Sequence, residues 1–197
     1  MLIDQPNLSS NPSLRSYVEL LLKWNKAINL ISKSTEETVW QRHIYDSLQL
    51  LEFIDLNQSI VDVGTGAGLP GVVLSIAGVQ KTYLIESDTR KCAFLEVAKK
   101  FSNNKIIIIN KRAEHLQNQE IDLNSILVSR AMAKITILLD LKKRIGLTGP
   151  LLILKGENYA QELQQAFKFW DFDYNISASK TNNLSVILRI QNERQKS

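Results

Sequence analysis

Leu14, Tyr17, Val18, Leu21, Leu22 and Ile28 recur three or four residues apart with Asn25 in the same stripe, which predicts an amphipathic helix. Asn11-Pro12 just before them supplies an N-cap and a first-turn proline. Ser34 to Glu37 reads as a capping box opening a second helix, with Val39, Trp40, His43, Ile44, Ser47, Leu48 and Leu51 along one side. Residues 1–55 are therefore expected to form a helical extension. Beyond them the period changes, and strands are predicted at 59–63, 81–86, 105–109, 125–129, 151–155, 171–177 and 184–190. Helices are predicted between them at 70–78, 88–101, 134–145 and 157–169. Such alternation implies parallel crossovers and a doubly wound sheet over residues 56–197. The Asn182-Asn183 link between the last two strands suits a hairpin, which makes one terminal strand antiparallel.

Composition narrows the class. With 197 residues, 44% hydrophobic and 22% charged, 8 Gly and 4 Pro, the chain is an ordinary globular one. Cys92 is the single cysteine, so no intramolecular disulfide forms, and with two histidines it makes no usual Cys/His zinc site; no metal is expected. A reducing cytoplasm follows as the expected location. No uninterrupted apolar run exceeds four residues, whereas a spanning helix needs about 20. Met1 to Ser13 is polar and lacks the layout of a secretory signal.

The net charge is only +4, but it is unevenly distributed. Residues 90–112 carry seven basic side chains against Glu96, and residues 130–155 carry six against Asp140, which leaves the remainder at −7. Solvated lysine-rich helix faces are one explanation. A polyanionic partner such as RNA is the other, and it requires the two segments to share a face.

The most informative stretch is 60–71, Ile-Val-Asp-Val-Gly-Thr-Gly-Ala-Gly-Leu-Pro-Gly. Gly64, Gly66 and Gly68 at the end of the first strand let the backbone turn sharply and approach a ligand, at the strand end where open parallel sheets bind theirs. From Gly66 the string also satisfies the dinucleotide motif G-x-G-x-x-G, and Glu86 lies 20 residues on, where a ribose-binding acid belongs. Three features favour S-adenosylmethionine. Asp62 supplies a carboxylate for an amino-acid ammonium, which a pyrophosphate would not want. Gly64-Thr65 lengthens the turn, and 197 residues are expected to leave no second, dehydrogenase-type substrate domain. Glu86 is then the acceptor for both ribose hydroxyls. Ala113 and Glu114, after the third strand, fall where class I methyltransferases commonly contact adenine. Arg130, after the fourth, falls where the substrate meets the methyl group.

Trp24-Asn25-Lys26-Ala27-Ile28-Asn29-Leu30, Arg42-His43-Ile44-Tyr45-Asp46-Ser47, the string 61–71, Arg90-Lys91, Ser129-Arg130-Ala131 and Lys155-Gly156 together resemble the bacterial small-subunit rRNA guanine-N7 methyltransferases, the glucose-inhibited division protein B (RsmG) family. The resemblance runs in order from Val18 to Ile190. It implies a Rossmann-like class I fold, a mostly parallel seven-stranded sheet with an antiparallel terminal strand. It also implies S-adenosyl-L-methionine as donor, S-adenosyl-L-homocysteine as product, and a guanosine in the 530 loop of 16S rRNA, free or in the small ribosomal subunit, as acceptor. A monomer that touches no membrane is expected. Gly64, Leu69, Ala113, Glu114 and Arg130 match the family's cofactor contacts, with Asp62, Gly66, Gly68 and Glu86 beside them. Arg42, His43, Lys134 and Lys155 are expected on the RNA side, oriented by Asp46 and Asn29, with Trp24 free to stack on an unpaired base. Ala67 replaces the family's usual proline, and Ile31 replaces a threonine, leaving Ser32 as the nearest hydroxyl. The alternatives are a methyltransferase for a small molecule or protein, and a nucleotide-binding module without chemistry.

Overall fold

Helix α1 (Pro12–Asn25) begins where its cap predicts: in the computed structural model, which describes residues 10–130 and 133–196, Asn11 Oδ1 accepts the Leu14 amide at 3.1 Å. Its stripe of Leu14, Tyr17, Val18 and Leu21 is buried. Most of the polar N-terminal segment, residues 1–9, and Ala131 of the Ser-Arg-Ala motif lie outside the described residues. The helix stops short of Ile28 because Asn25 is drawn into the following turn. Its Oδ1 accepts the amides of Leu30 and Ile31 at 2.8 and 2.9 Å, and its Nδ2 donates to Glu36 at 2.5 Å.

The second helical stretch differs from expectation at its start. Ser34 caps no helix; its Oγ lies 2.8 Å from Ser32 Oγ, and Lys33–Thr35 is a 3-10 turn. The helix opens instead as a wide π turn over Trp40–Tyr45 and tightens through Asp46–Leu48 and Gln49–Phe53. The predicted face is nonetheless the inward one, with Val39, His43, Ile44, Ser47 and Leu48 buried.

Strands β1 (Ile60–Val63), β2 (Lys81–Glu86), β3 (Lys105–Asn110), β4 (Ile126–Arg130), β5 (Leu151–Lys155), β6 (Trp170–Ala178) and β7 (Val186–Gln195) form one sheet in the order β3-β2-β1-β4-β5-β7-β6. The first five are mutually parallel, and β7 runs antiparallel to both neighbours. The antiparallel strand expected of the final hairpin is thus seated inside the sheet. Alternation along the strands separates two layers. Val61, Val63, Leu127, Leu151 and Ile153 pack with α4 (Ile135–Ile145) and α5 (Tyr159–Ala166). Ile60, Ile126, Val128, Leu152 and Leu154 face the other way, with Leu50 and Ile54 of the extension and Leu74 of α2 (Gly71–Ile76). On that same side α1 packs with α3 (Thr89–Ala98) in a cluster that joins Tyr17, Leu21 and Ile44 to Ala67, Leu69 and Phe94.

The two basic segments consequently do not share a face, because α3 and α4 lie on opposite sides of the sheet. What they share is an edge. Arg90 and Lys91 open α3, Lys111 and Arg112 follow β3, Arg130 and Lys134 flank the end of β4, and Lys155 ends β5, all at the carboxyl ends of the strands. Lys99, Lys100, Lys105, Lys142, Lys143 and Arg144 gather at the opposite end. Several are neutralised internally: Lys99 by Glu96, Lys111 by Glu120, and the buried Lys142 by Glu193.

Candidate active site at the carboxyl edge of the sheet

The strand order reverses between β1 and β4, and the loops after these two strands frame the crevice at that switch point. On the β1 side stands Asp62, 1% exposed. Its Oδ2 accepts the Thr65 hydroxyl at 2.6 Å and the Gly71 amide at 2.8 Å, while Oδ1 is buried without a hydrogen-bond partner. Burial raises its pKa to about 7, against the lowering pull of Thr65, Gly71 and Arg130. Gly71 permits this close approach, since a Cβ there would lie 2.4 Å from Leu84 Cδ2 and 2.9 Å from Asp62 Oδ2. Gly64, Gly66 and Gly68 all take positive φ, and above Gly66 a Cβ would meet nothing nearer than 4.0 Å. The loop is therefore strained for any other residue there; it is open above Gly66 and packed against Val72 and Leu95 at Gly68.

Three groups hold this loop in place. Gly64 and Thr65 donate their amides to Ile85 O, continuing the β1–β2 ladder. Glu86 Oε2 accepts the Gly66 amide at 3.0 Å, while its Oε1 accepts the amides of Ser87 and Asp88. A carboxylate offers about four acceptor positions, so one remains on Oε2, room for one hydroxyl where both were expected. From the extension, the buried Tyr17 hydroxyl donates to Ala67 O at 2.7 Å. Ala67 thus makes the turn in proline's place, and Ile31 is packed in the same core cluster. Leu69 is also buried in that cluster. Ala113 and Glu114 sit in a 3-10 turn beyond β3, Ala113 half-buried and Glu114 exposed. The structure brings Asp62, Gly64, Gly66, Gly68 and Glu86 together and leaves these two on the rim.

On the β4 side, Arg130 projects from the same face as Asp62, toward the extension. Its Nη1 donates to Arg42 O at 3.1 Å and lies 2.7 Å from His43 Nδ1. Burial lowers its pKa, and the carboxylates of Asp46 and Asp62 offset part of that cost. Asp46 also accepts from Gln49 Nε2 and the Thr181 hydroxyl at 2.9 and 2.6 Å, tying the extension to the β6–β7 turn. Between them lies a cleft of about 360 Å³ lined by Arg42, His43, Asp46, Arg130, Glu157 and Asn182, among others. His43 is buried, and desolvation, with Arg130 and Arg42, lowers its pKa to about 4.

Of the expected RNA-side residues, Arg42 and Lys134 are exposed. Lys155 is buried, and the alternation of β5 directs it to the α5 side, where Nζ donates to Ala133 O at 2.5 Å and to Glu162 at 2.7 Å. Glu162 also accepts the Ile135 amide, so this pair braces the connection after β4. Asn29 is exposed in the turn after α1, and Trp24 sets its ring edge-on to Phe94 at 5.8 Å, within the core cluster. No site role follows from the sequence for Tyr17, Thr35 or Gly71, although Tyr17 stands in the predicted stripe of α1 and Gly71 in the glycine string; their partners lie 50, 8 and 9 residues away, and only the capping of turns by hydroxyls points to Thr35.

Comparison with known proteins agrees with this geometry. A family model described as rRNA small subunit methyltransferase G matches residues 10–187. The ribosomal RNA small subunit methyltransferase G of Rickettsia felis is 49% identical over 180 residues, covering 91% of this chain and 92% of that protein. Its Rickettsia akari counterpart matches with the same identity and coverage. Among solved structures, the fibrillarin/Nop5p complex aligns with a TM-score of 0.58 at 13% identity, covering 78% of this chain and 82% of that one. The 23S rRNA methyltransferase ErmE aligns at 0.55 and 14%, covering 85% and 70%. A variant of MtNAS in complex with S-adenosylmethionine aligns at 0.58 and 12%, covering 91% and 74%. At such identities these structures share the fold, the Rossmann-like class I methyltransferase architecture.

Proposed function

From the premise that the chain belongs to the rRNA small subunit methyltransferase G family, we propose that it methylates guanine N7 in the 530 loop of 16S rRNA, as a cytoplasmic monomer. The observation that carries the assignment of chemistry to this crevice is Asp62: a buried carboxylate with one oxygen unpartnered, at the foot of an open glycine turn and facing Arg130. S-adenosylmethionine, when bound, supplies an electrophilic methyl group on a cationic sulfur.

Asp62 Oδ1 would hold the cofactor's ammonium, the open side of Gly66 would leave room for it to lie against the turn, and Glu86 Oε2 would take a ribose hydroxyl. Leu69, Ala113 and Glu114 border the remainder. Guanine N7 carries a lone pair and no proton, so no general base is required of the protein. What remains is alignment, which contributes roughly 7–11 kcal/mol when the reacting atoms are held in line. Arg130 does this positioning without occupying N7, since a guanidinium bidentate to O6 and N7 would block the attacking atom. Arg42 and Lys134 supply phosphate contacts at the edge, and Lys155 acts from behind through Glu162.

Deleting the protein from its cell should remove one 7-methylguanosine from small-subunit rRNA; an unchanged modification profile would overturn the reading. In vitro, Arg130→Ala should cut transfer to a small residual rate and weaken cofactor binding far less, as calorimetry would read it, and near-normal turnover would sink the role given to Arg130.

A further inference from the structure

Arg130 is aimed by a chain of hydrogen bonds whose every donor is fixed. Thr35 Oγ1 lies 2.8 Å from Ser32 O, a carbonyl that can only accept, so the hydroxyl proton points there. The same Oγ1 lies 2.8 Å from His43 Nε2 and must therefore accept, which makes Nε2 the protonated nitrogen. A neutral imidazole has one N–H, so Nδ1 is left with its lone pair, 2.7 Å from Arg130 Nη1, a group that can only donate. The two other ends of the arrangement are also pinned: Nη1 donates to Arg42 O, and the Ser47 hydroxyl, one turn on, donates to His43 O at 2.7 Å. His43 itself is 7% exposed.

We propose that Ser32, Thr35 and His43 form a positioning relay that sets the direction of the Arg130 guanidinium for methyl transfer, so that His43 acts through Arg130 and not on RNA. The inference rests on the reading of Arg130 given above. It assigns the helical extension a place in the chemistry: the 3-10 turn Lys33–Thr35 and the π turn Trp40–Tyr45 exist at the register that puts a hydroxyl behind the imidazole and the imidazole behind the arginine. Arginine has five N–H donors and a long flexible stem, and two acceptors on Nη1, the Arg42 carbonyl and an imidazole itself held at its far nitrogen, remove that freedom.

The test is steady-state methyl transfer to small-subunit rRNA by the full chain, with cofactor affinity measured separately by calorimetry. Thr35→Val, which removes the hydroxyl at a half-buried site, and His43→Leu should each lower kcat about tenfold or more. KM for RNA and Kd for S-adenosylmethionine should stay within about twofold of wild type, as for an interaction that acts on the chemical step. Thr35→Ser restores the hydroxyl, and His43→Asn restores an acceptor near the Nδ1 position; both should recover most of the loss. Because His43 acts through Arg130, His43→Leu combined with Arg130→Ala should be no slower than Arg130→Ala alone. If His43→Leu melts early, the Thr35→Val and Thr35→Ser pair decides. Wild-type kcat in Thr35→Val, a loss confined to KM for RNA, or additive losses in the double variant would each overturn the relay while leaving the function standing. Normal turnover by Arg130→Ala, or no transfer to rRNA by the wild-type protein, would overturn the function and the relay with it.

Discussion

Burial makes Asp62 hard to ionise, and this shift has a measurable sign. Its folded pKa of about 7 lies above the ordinary aspartate value, so below pH 7 the carboxyl is mostly neutral before ligand arrives. A bound ammonium favours the charged form, hence each binding event releases a proton there. Cofactor affinity should therefore rise as pH increases from about 5.5 to 7, by up to about tenfold per unit. It should then level off above that range. His43, held at about 4, is neutral throughout this window and does not contribute. Calorimetry in buffers of different ionisation enthalpy checks the proton release, and Asp62→Asn should bind weakly with a flat profile; an equally steep profile in that variant would assign the effect elsewhere. The same residue shows what sequence could say. A carboxylate two positions before a glycine turn was legible. Its half-satisfied state was not, because Gly71 reaches it only once α2 has folded back under β1.

Among elements, α1 meets the glycine turn through the Tyr17 hydroxyl, which donates to Ala67 O. Tyr17→Phe leaves a buried carbonyl without its donor, a loss of about 1–3 kcal/mol. For a chain of this size that lowers the melting temperature by roughly 2–4 °C per kcal/mol. Cofactor affinity should fall several-fold as well, since the turn loses its outer support; unchanged affinity with a lowered melting point would confine Tyr17 to stability. Strands β2 and β5 appear at their expected bounds because each is a short apolar run closed by a charged residue. Helix α1 appears from its period and cap. The Ser34 capping box does not, because the hydroxyl pattern it matched is used differently: Ser32 O takes Thr35, and Thr35 takes His43, a partner eight positions away that no local rule relates to it. Lys155 likewise is expected on the RNA side, whereas the two-residue period of β5 turns it toward Glu162.

Over the whole molecule, the basic character of the chain sorts by the ends of the sheet and not by its faces. The strand β3 offers a controlled comparison, since exposed Lys105 begins it and exposed Arg112 follows its end. Arg112→Gln should weaken rRNA binding and reduce the slope of log affinity against log salt by about one. Lys105→Gln should change neither, and equal effects would place the RNA along the length of β3 instead of across the carboxyl edge. Segmental charge was readable from the chain, but its geometry depended on crossovers that send α3 to one face and α4 to the other. The glycine turn, finally, is held by the β1–β2 ladder, by Glu86 and by Tyr17 before any ligand arrives. Its ordering entropy is spent during folding, so cofactor binding carries no disorder-to-order transition of the turn. The heat-capacity change on binding then reports the apolar surface buried between cofactor and turn, without a folding contribution from the turn.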